Sequence, residues 1–277
     1  MEVKGKTAII TGATSGIGRM AALNLAARGA ILVLPARSME KGEALKKEIQ
    51  DKNPGAVVEL MPCDLASMND IREFADAFRA KHDRLHILIN NAGIWEMKRR
   101  ESADGIELNF AVNHLAPFLL TNLLLDIIKD SAPARIVNVS SMIHKRTRMK
   151  FNDLEKKKRW SSMHAYAQSK LANVLFTRKL ARDLEGSGVT VNCLHPGVVN
   201  TRLFDQMPSF MLKVFQWFMI SPEKGAQTTI HLATSPALNG ISGEYFAKNK
   251  VAKTTRHAKD MKVAEQLWEA SEVYCGL

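Results

Sequence analysis

The chain has 277 residues, 46% of them hydrophobic and 24% charged, which suits one compact globular domain and excludes a disordered chain. A formal charge of +11 and a pI near 9.6 point to anionic partners. No helix-turn-helix, zinc-finger or RNA-binding signature is present, so no nucleic acid is expected. Cys63, Cys193 and Cys275 are scattered and form no CxxC pair or zinc-ligand spacing, which fits structural thiols in a reducing compartment. The first residues run almost directly into a strand, leaving no room for a signal peptide, and no apolar run reaches the roughly 20 residues of a membrane span. A cytoplasmic location, or one peripheral to a membrane, is expected.

Short apolar runs alternate with segments of helical period along the chain. Residues 7–10 predict a buried strand, followed by a glycine-rich turn and a helix over 20–26 closed by Gly29. Residues 30–34 predict the second strand, and 40–52 a charged amphipathic helix stopped near Asn53-Pro54-Gly55. A strand over 57–61, a helix over 67–81 capped by Ser67 and an all but fully apolar strand over 86–89 follow. A long helix is predicted from about 105 to 129, a strand over 135–139, a helix over 163–184 and a strand over 189–194. A helix over 223–234 and a short strand over 243–246 complete the series. This alternation predicts an α/β fold: a Rossmann-type doubly wound parallel sheet with right-handed crossovers, in a single domain over 1–277. Residues 200–222 break the rhythm. They are apolar and rich in Met and Phe, and predict an added helical flap.

The first turn reads Thr11-Gly12-Ala13-Thr14-Ser15-Gly16-Ile17-Gly18. Glycines between a strand and a helix let the backbone approach a pyrophosphate, whose charge meets the unpaired N–H groups of the helix start. The spacing GxxxGxG differs from GxGxxG and is weak alone; its place after the first strand strengthens it. At the end of the second strand, Leu34-Pro35-Ala36-Arg37-Ser38 carries no acid. An acid there would bond a ribose 2′-hydroxyl and repel a 2′-phosphate, whereas Arg37 can pair with that phosphate, so NADP(H) is favoured. Pro35 is unexpected inside a strand, because it removes a ladder donor.

Thr11 to Gly18, Asn90-Asn91-Ala92-Gly93 and Tyr166-Ala167-Gln168-Ser169-Lys170, in this order and spacing, resemble the short-chain dehydrogenase/reductase superfamily over nearly the whole chain. The resemblance implies that Asp64 and Leu65 flank the adenine and that Asn91, Ala92 and Gly93 line the cofactor. It implies that Pro196-Gly197, with Val199 nearby, opens the nicotinamide-facing loop, and that Thr201 holds the carboxamide. Tyr166 and Lys170 stand four apart on one helix face. A lysine ammonium should lower the tyrosine pKa from near 10 and make the pair a tunable proton donor and acceptor. By the resemblance, Ser141 bonds the substrate oxygen, with Ser140 the competing candidate, and Asn113 holds a water between Lys170 and solvent.

Residues 85–93, 169–177 and 195–199, and the long separation of Ser141 from Tyr166, resemble a narrower branch, the retinol dehydrogenase-like reductases. That separation holds a basic insert, residues 144–150 and 156–160, read as a solvated loop or as a docking surface for anionic lipid. The apolar stretch 209–220 is read as a lid over a long apolar substrate, or as a helix covering the core. The expected activity is an NADP(H)-dependent alcohol dehydrogenase or carbonyl reductase acting on an apolar carbonyl or alcohol, retinal/retinol-like first. The alternatives are a general carbonyl or steroid reductase, and a non-catalytic NADP(H)-binding or anionic-surface protein. The resemblance also suggests a homo-oligomer.

Overall fold

A computed structural model of the chain describes residues 1–199 and 219–277. β1 (Thr7–Ile10) leads through the glycine-rich turn into α1 (Gly16–Ala27), and β2 (Ile31–Ala36) into α2 (Met39–Lys52). β3 (Val58–Pro62), α3 (Met68–Lys81) and β4 (Ile87–Asn90) follow. Each charged helix starts on a serine. Ser38 Oγ accepts from the Lys41 N–H, and Ser67 Oγ accepts from the Asp70 N–H while donating to its carboxylate at 2.7 Å. α1 begins at Gly16, earlier than predicted, because its start is set by packing rather than by helix propensity.

The predicted long helix is broken. It runs as α4 (Leu108–Phe110), a π-helical turn (Ala111–Leu115), α5 (Ala116–Leu123) and α6 (Leu125–Asp130). The physical reason is Pro117. It has no N–H to give the Asn113 carbonyl, and its ring crowds the preceding turn. The helix widens just before it, and the Ala116 N–H reaches back five residues to the Ala111 carbonyl.

β5 (Ala134–Val139), α7 (Ser162–Asp183), β6 (Val189–His195), α8 (Pro222–Thr234) and β7 (Tyr245–Ala247) match the remaining predictions within a few residues. The chain then adds β8 (Lys250–Val251) and α9 (Met261–Cys275), which the sequence reading did not name. Ala264, Leu267, Ser271 and Cys275 face inward on α9, a helical period that the serine obscures. Ser271 is tolerated because its hydroxyl bonds the Leu267 carbonyl at 2.7 Å.

Among the described residues eight strands form one sheet in the order β3-β2-β1-β4-β5-β6-β7-β8. All neighbours are parallel except the edge pair β7–β8, a small departure from a fully parallel sheet. Pro35 fits because of register. The Leu32 N–H points to β3, so by alternation the nitrogen of residue 35 points to β1. Pairing with β1 ends at Ile9↔Val33, so no donor is missed there. One face of the sheet is covered by α3, α5, α7 and α9, the other by α1, α2 and α8. Phe118 and Phe176 meet Trp268 on the first face, and Phe110 meets Tyr274 edge-on, which seals α9 onto the core. Each fully buried phenylalanine ring stabilises the fold by about 1.5–3 kcal/mol.

Strand order reverses between β1 and β4, and the crevice at a reversal opens at the carboxyl ends of the strands. The basic insert is only partly solvated. His144 is fully buried, and Met149, Leu154 and Lys156 are buried with it, while Lys145, Arg146, Arg148, Lys150 and Lys157 stay exposed. Among the described residues no helix is long and apolar enough to cross a membrane. The three cysteines are free and buried. The flap region 200–218, including Thr201, lies outside the described residues.

Candidate active site

A cleft of about 1060 Å³ occupies the strand-order reversal. Its cofactor side is built from the β1–α1 turn, where Gly12, Thr14, Ser15, Gly16 and Ile17 line it. Gly18 stands just behind: a Cβ there would come within 2.3 Å of the Gly12 carbonyl oxygen, so the turn closes only with glycine. Ser15 caps α1 without a side-chain hydrogen bond, and no acid stands in the first turn. The leading N–H groups of α1 are therefore left to an anion in the cleft.

The opposite wall of the turn comes from β4. Asn91 Nδ2 donates to the Thr11 carbonyl at 2.9 Å, and Thr11 Oγ1 accepts from the Asn91 and Ala92 N–H groups, both at 3.0 Å. These bonds tie the β4 loop to the first turn and leave Asn91, Ala92 and Gly93 facing the cleft. Asp64 and Leu65 line it from the β3–α3 loop. Asp64 Oδ1 is held by the Ala66 N–H at 3.0 Å, so this carboxylate shapes its own turn. Exposed Arg37 reaches the cleft from the end of β2, as the sequence predicts, and exposed Lys41 joins it from the first turn of α2. Lys41 was missed in the sequence. The Ser38 cap supplies the missing signal, since it wraps residues 37–41 around one helix start.

The chemical groups converge at the far end. Ser140 and Ser141 follow β5, Tyr166 and Lys170 project from one face of α7, and all four line the cleft. The two serines differ in what they bond. Ser140 Oγ donates to the Lys170 carbonyl at 2.7 Å, a structural bond, whereas the Ser141 side chain stands beside the Tyr166 phenol and draws its pKa down. Lys170 Nζ lies 5.8 Å from the Tyr166 ring centre and donates to the Val139 carbonyl at 3.1 Å. Burial shifts both groups toward their neutral forms. It pushes Tyr166 up to about 12, with the Ser141 side chain pulling the other way, and brings Lys170 down to about 8. The expected lowering of Tyr166 by the ammonium is not what the fold produces, because the cleft wall desolvates the phenol more than the Ser141 side chain compensates.

Asn113 sits in the π-helical turn behind these groups. Its Nδ2 donates to the Ile94 carbonyl and to Ser169 Oγ, both at 2.9 Å, and its Oδ1 accepts from the Ile94 N–H at 2.8 Å. A Cβ on Gly93 would stand 3.0 Å from Lys170 Nζ and 3.3 Å from Asn113 Oδ1, so glycine keeps the space between them open.

The neighbouring His114 is fully buried and is held by Ser271 of α9, with 2.9 Å between Nε2 and Oγ. Burial lowers its pKa to about 3, with the Asn173 side chain opposing. The unfolded chain takes up this proton near pH 6.5 and the folded chain does not, so stability is whole above about 6.5 and falls as pH drops toward 3. The loss is on the order of a few kcal/mol. Urea unfolding at pH 7 and pH 4.5 should show it, and His114→Gln should weaken the difference; an undiminished difference in the variant would refute the assignment.

On the β6 side, His195, Pro196, Gly197 and Val199 line the cleft. Val199 pairs with Ile220, and the Ile220 N–H donates to the Val198 carbonyl at 2.8 Å, which ties Ile220 to this wall. Trp95, Met142, Ile143 and Met163 add an apolar wall next to Tyr166. The sequence reading did not single out these four, since none belongs to a motif.

The short chain dehydrogenase family model matches residues 6–211. The chain belongs to the short-chain dehydrogenase/reductase family. Within it, the chain falls in the retinol dehydrogenase-like branch. It is 43% identical over 279 residues to human retinol dehydrogenase 11, spanning 100% of this chain and 88% of the relative. An uncharacterized protein from Mycobacterium paratuberculosis has the same fold, with a TM-score of 0.81 and 32% identity over 99% of this chain and 95% of that one. A complex of Pseudomonas aeruginosa RhlG with NADP matches with a TM-score of 0.72 and 25% identity, over 93% of this chain and 98% of that one. The chain is thus a short-chain dehydrogenase/reductase oxidoreductase for a small-molecule substrate, using a nicotinamide cofactor.

Proposed function

We propose that this short-chain dehydrogenase/reductase is an NADP(H)-dependent enzyme that interconverts an apolar aldehyde or ketone with its alcohol, a retinal/retinol-like substrate being favoured. The observation that carries the reading is the meeting of Ser141, Tyr166 and Lys170 at one end of a cleft whose adjoining wall is apolar. Arg37 and Lys41, with no acid at the end of β2, support the phosphorylated cofactor. The uncapped start of α1 and the tight Gly12–Gly18 approach suit its diphosphate. The solved Pseudomonas aeruginosa relative binds NADP, and the human relative is named for retinol.

When bound, the nicotinamide supplies or accepts the hydride. Tyr166 Oη, kept protonated at neutral pH by burial, delivers a proton to the carbonyl oxygen, and Ser141 Oγ donates a hydrogen bond to the same oxygen. Lys170 stays charged up to about pH 8 and stabilises the phenolate that forms. The space beside Gly93, between Lys170 and Asn113, is where the proton returns. Oxidation runs each role backward.

The test is NADPH oxidation measured across retinal, medium-chain aldehydes, quinones and steroids, with NADH in parallel. Turnover of retinal or a long-chain aldehyde with NADPH is expected. Preference for steroids or small quinones would replace the substrate assignment with a general carbonyl or steroid reductase, and no turnover on any carbonyl would overturn the reading.

A further inference from the structure

We propose that Trp95 is a positioning residue for Tyr166, fixing the phenol along and around α7 by stacking on its ring while its indole nitrogen is tied to Ser162 one helical turn earlier. This rests on the function proposed above. The indole and phenol rings are nearly parallel, at 14°, with centres 4.9 Å apart. The indole Nε1 donates to Ser162 Oγ at 2.8 Å. Ser162 Oγ in turn donates to the Glu96 carbonyl at 2.6 Å, so the hydroxyl that receives the indole is itself held.

Residues 162 and 166 are four apart and lie one above the other on α7. One side chain therefore grips two successive turns. It comes from the loop after β4, the same loop whose Ile94 backbone is clasped by Asn113. The phenol, the π-helical turn and the cofactor-facing Asn91–Gly93 stretch are thereby set against one another.

The indole is fixed twice, by its face on the phenol and by its N–H on Ser162, so it holds one orientation against α7. A phenol that must meet a substrate oxygen needs this, because an error near 1 Å can cost about 100-fold in rate. Tyrosine χ2 is broad, and a parallel neighbour narrows it. Ser141 stands at the oxygen end of the same ring.

The experiment compares wild type, Trp95→Phe, Trp95→Ala and Ser162→Ala, each as the full chain, for kcat and KM on one carbonyl substrate, NADPH affinity by fluorescence, and thermal midpoint. Trp95→Ala is expected to lower kcat by about 30-fold while KM and NADPH affinity move by less than about threefold. Trp95→Phe, which keeps a ring over the phenol, should restore most of that loss, and Ser162→Ala should lower kcat by about threefold. If Trp95→Ala does not fold, the phenylalanine and serine variants carry the test alone. Equal kcat in all soluble variants would overturn the inference, as would a Trp95→Phe defect as large as that of Trp95→Ala. Wild-type turnover is measured first: its absence would fault the proposed function, whereas turnover untouched by these substitutions would fault Trp95 alone.

Discussion

Tyr166→Phe is expected to lower carbonyl turnover by about a thousandfold while NADPH binds within about twofold of wild type. The substitution removes one oxygen and nothing else. The ring keeps its place against Trp95, and no charge is lost, because burial already holds the phenol neutral, with a pKa of about 12. What disappears is the proton donor that stands beside Ser141 in the apolar end of the cleft. Initial rates and NADPH titration by fluorescence separate the two effects. Turnover near wild type would sink the proton-transfer role, and weakened NADPH binding would show that the hydroxyl serves the cofactor instead.

The second large effect concerns the cofactor. Wild type is expected to prefer NADPH over NADH, and the double variant Arg37→Ala/Lys41→Ala to lose about 100-fold in kcat/KM for NADPH with little change for NADH. Both side chains are exposed at the cleft edge, so each contact is partly screened, and the single variants should each show about tenfold. The preference should shrink as salt rises. Measuring both cofactors at two ionic strengths checks the sign and the origin together. A wild-type preference for NADH, or a double variant that discriminates as before, would refute the assignment of these two cations to a 2′-phosphate.

The amino-acid sequence by itself determined the layer order of the fold, because the alternation of short apolar runs with helical periods admits few arrangements. It also determined the chemical repertoire: the glycine turn, the missing acid before Arg37, and Tyr166 and Lys170 one helical turn apart. These are local patterns, set by backbone sterics and by spacing along one element. The flap read over 200–222 lies mostly outside the described residues.

Other features were decided only by residues far apart in sequence. Pro35 reads as an anomaly until register shows that its nitrogen faces a strand that has already ended. Pro117 turns a predicted continuous helix into one with a π-helical turn, and so brings Asn113 to the Ile94 backbone. The resemblance prefers Ser141 to Ser140, and only the fold gives a physical reason, because the Lys170 carbonyl takes the hydroxyl of the first. Lys41 and Trp95 carry no motif, and their place in the cleft follows from how α2 and the β4 loop are docked. The protonation of Tyr166 was read in the wrong direction from spacing alone. Spacing shows only the neighbouring lysine, whereas burial of the phenol, a property of the whole cleft wall, raises its pKa and outweighs the opposing Ser141 side chain.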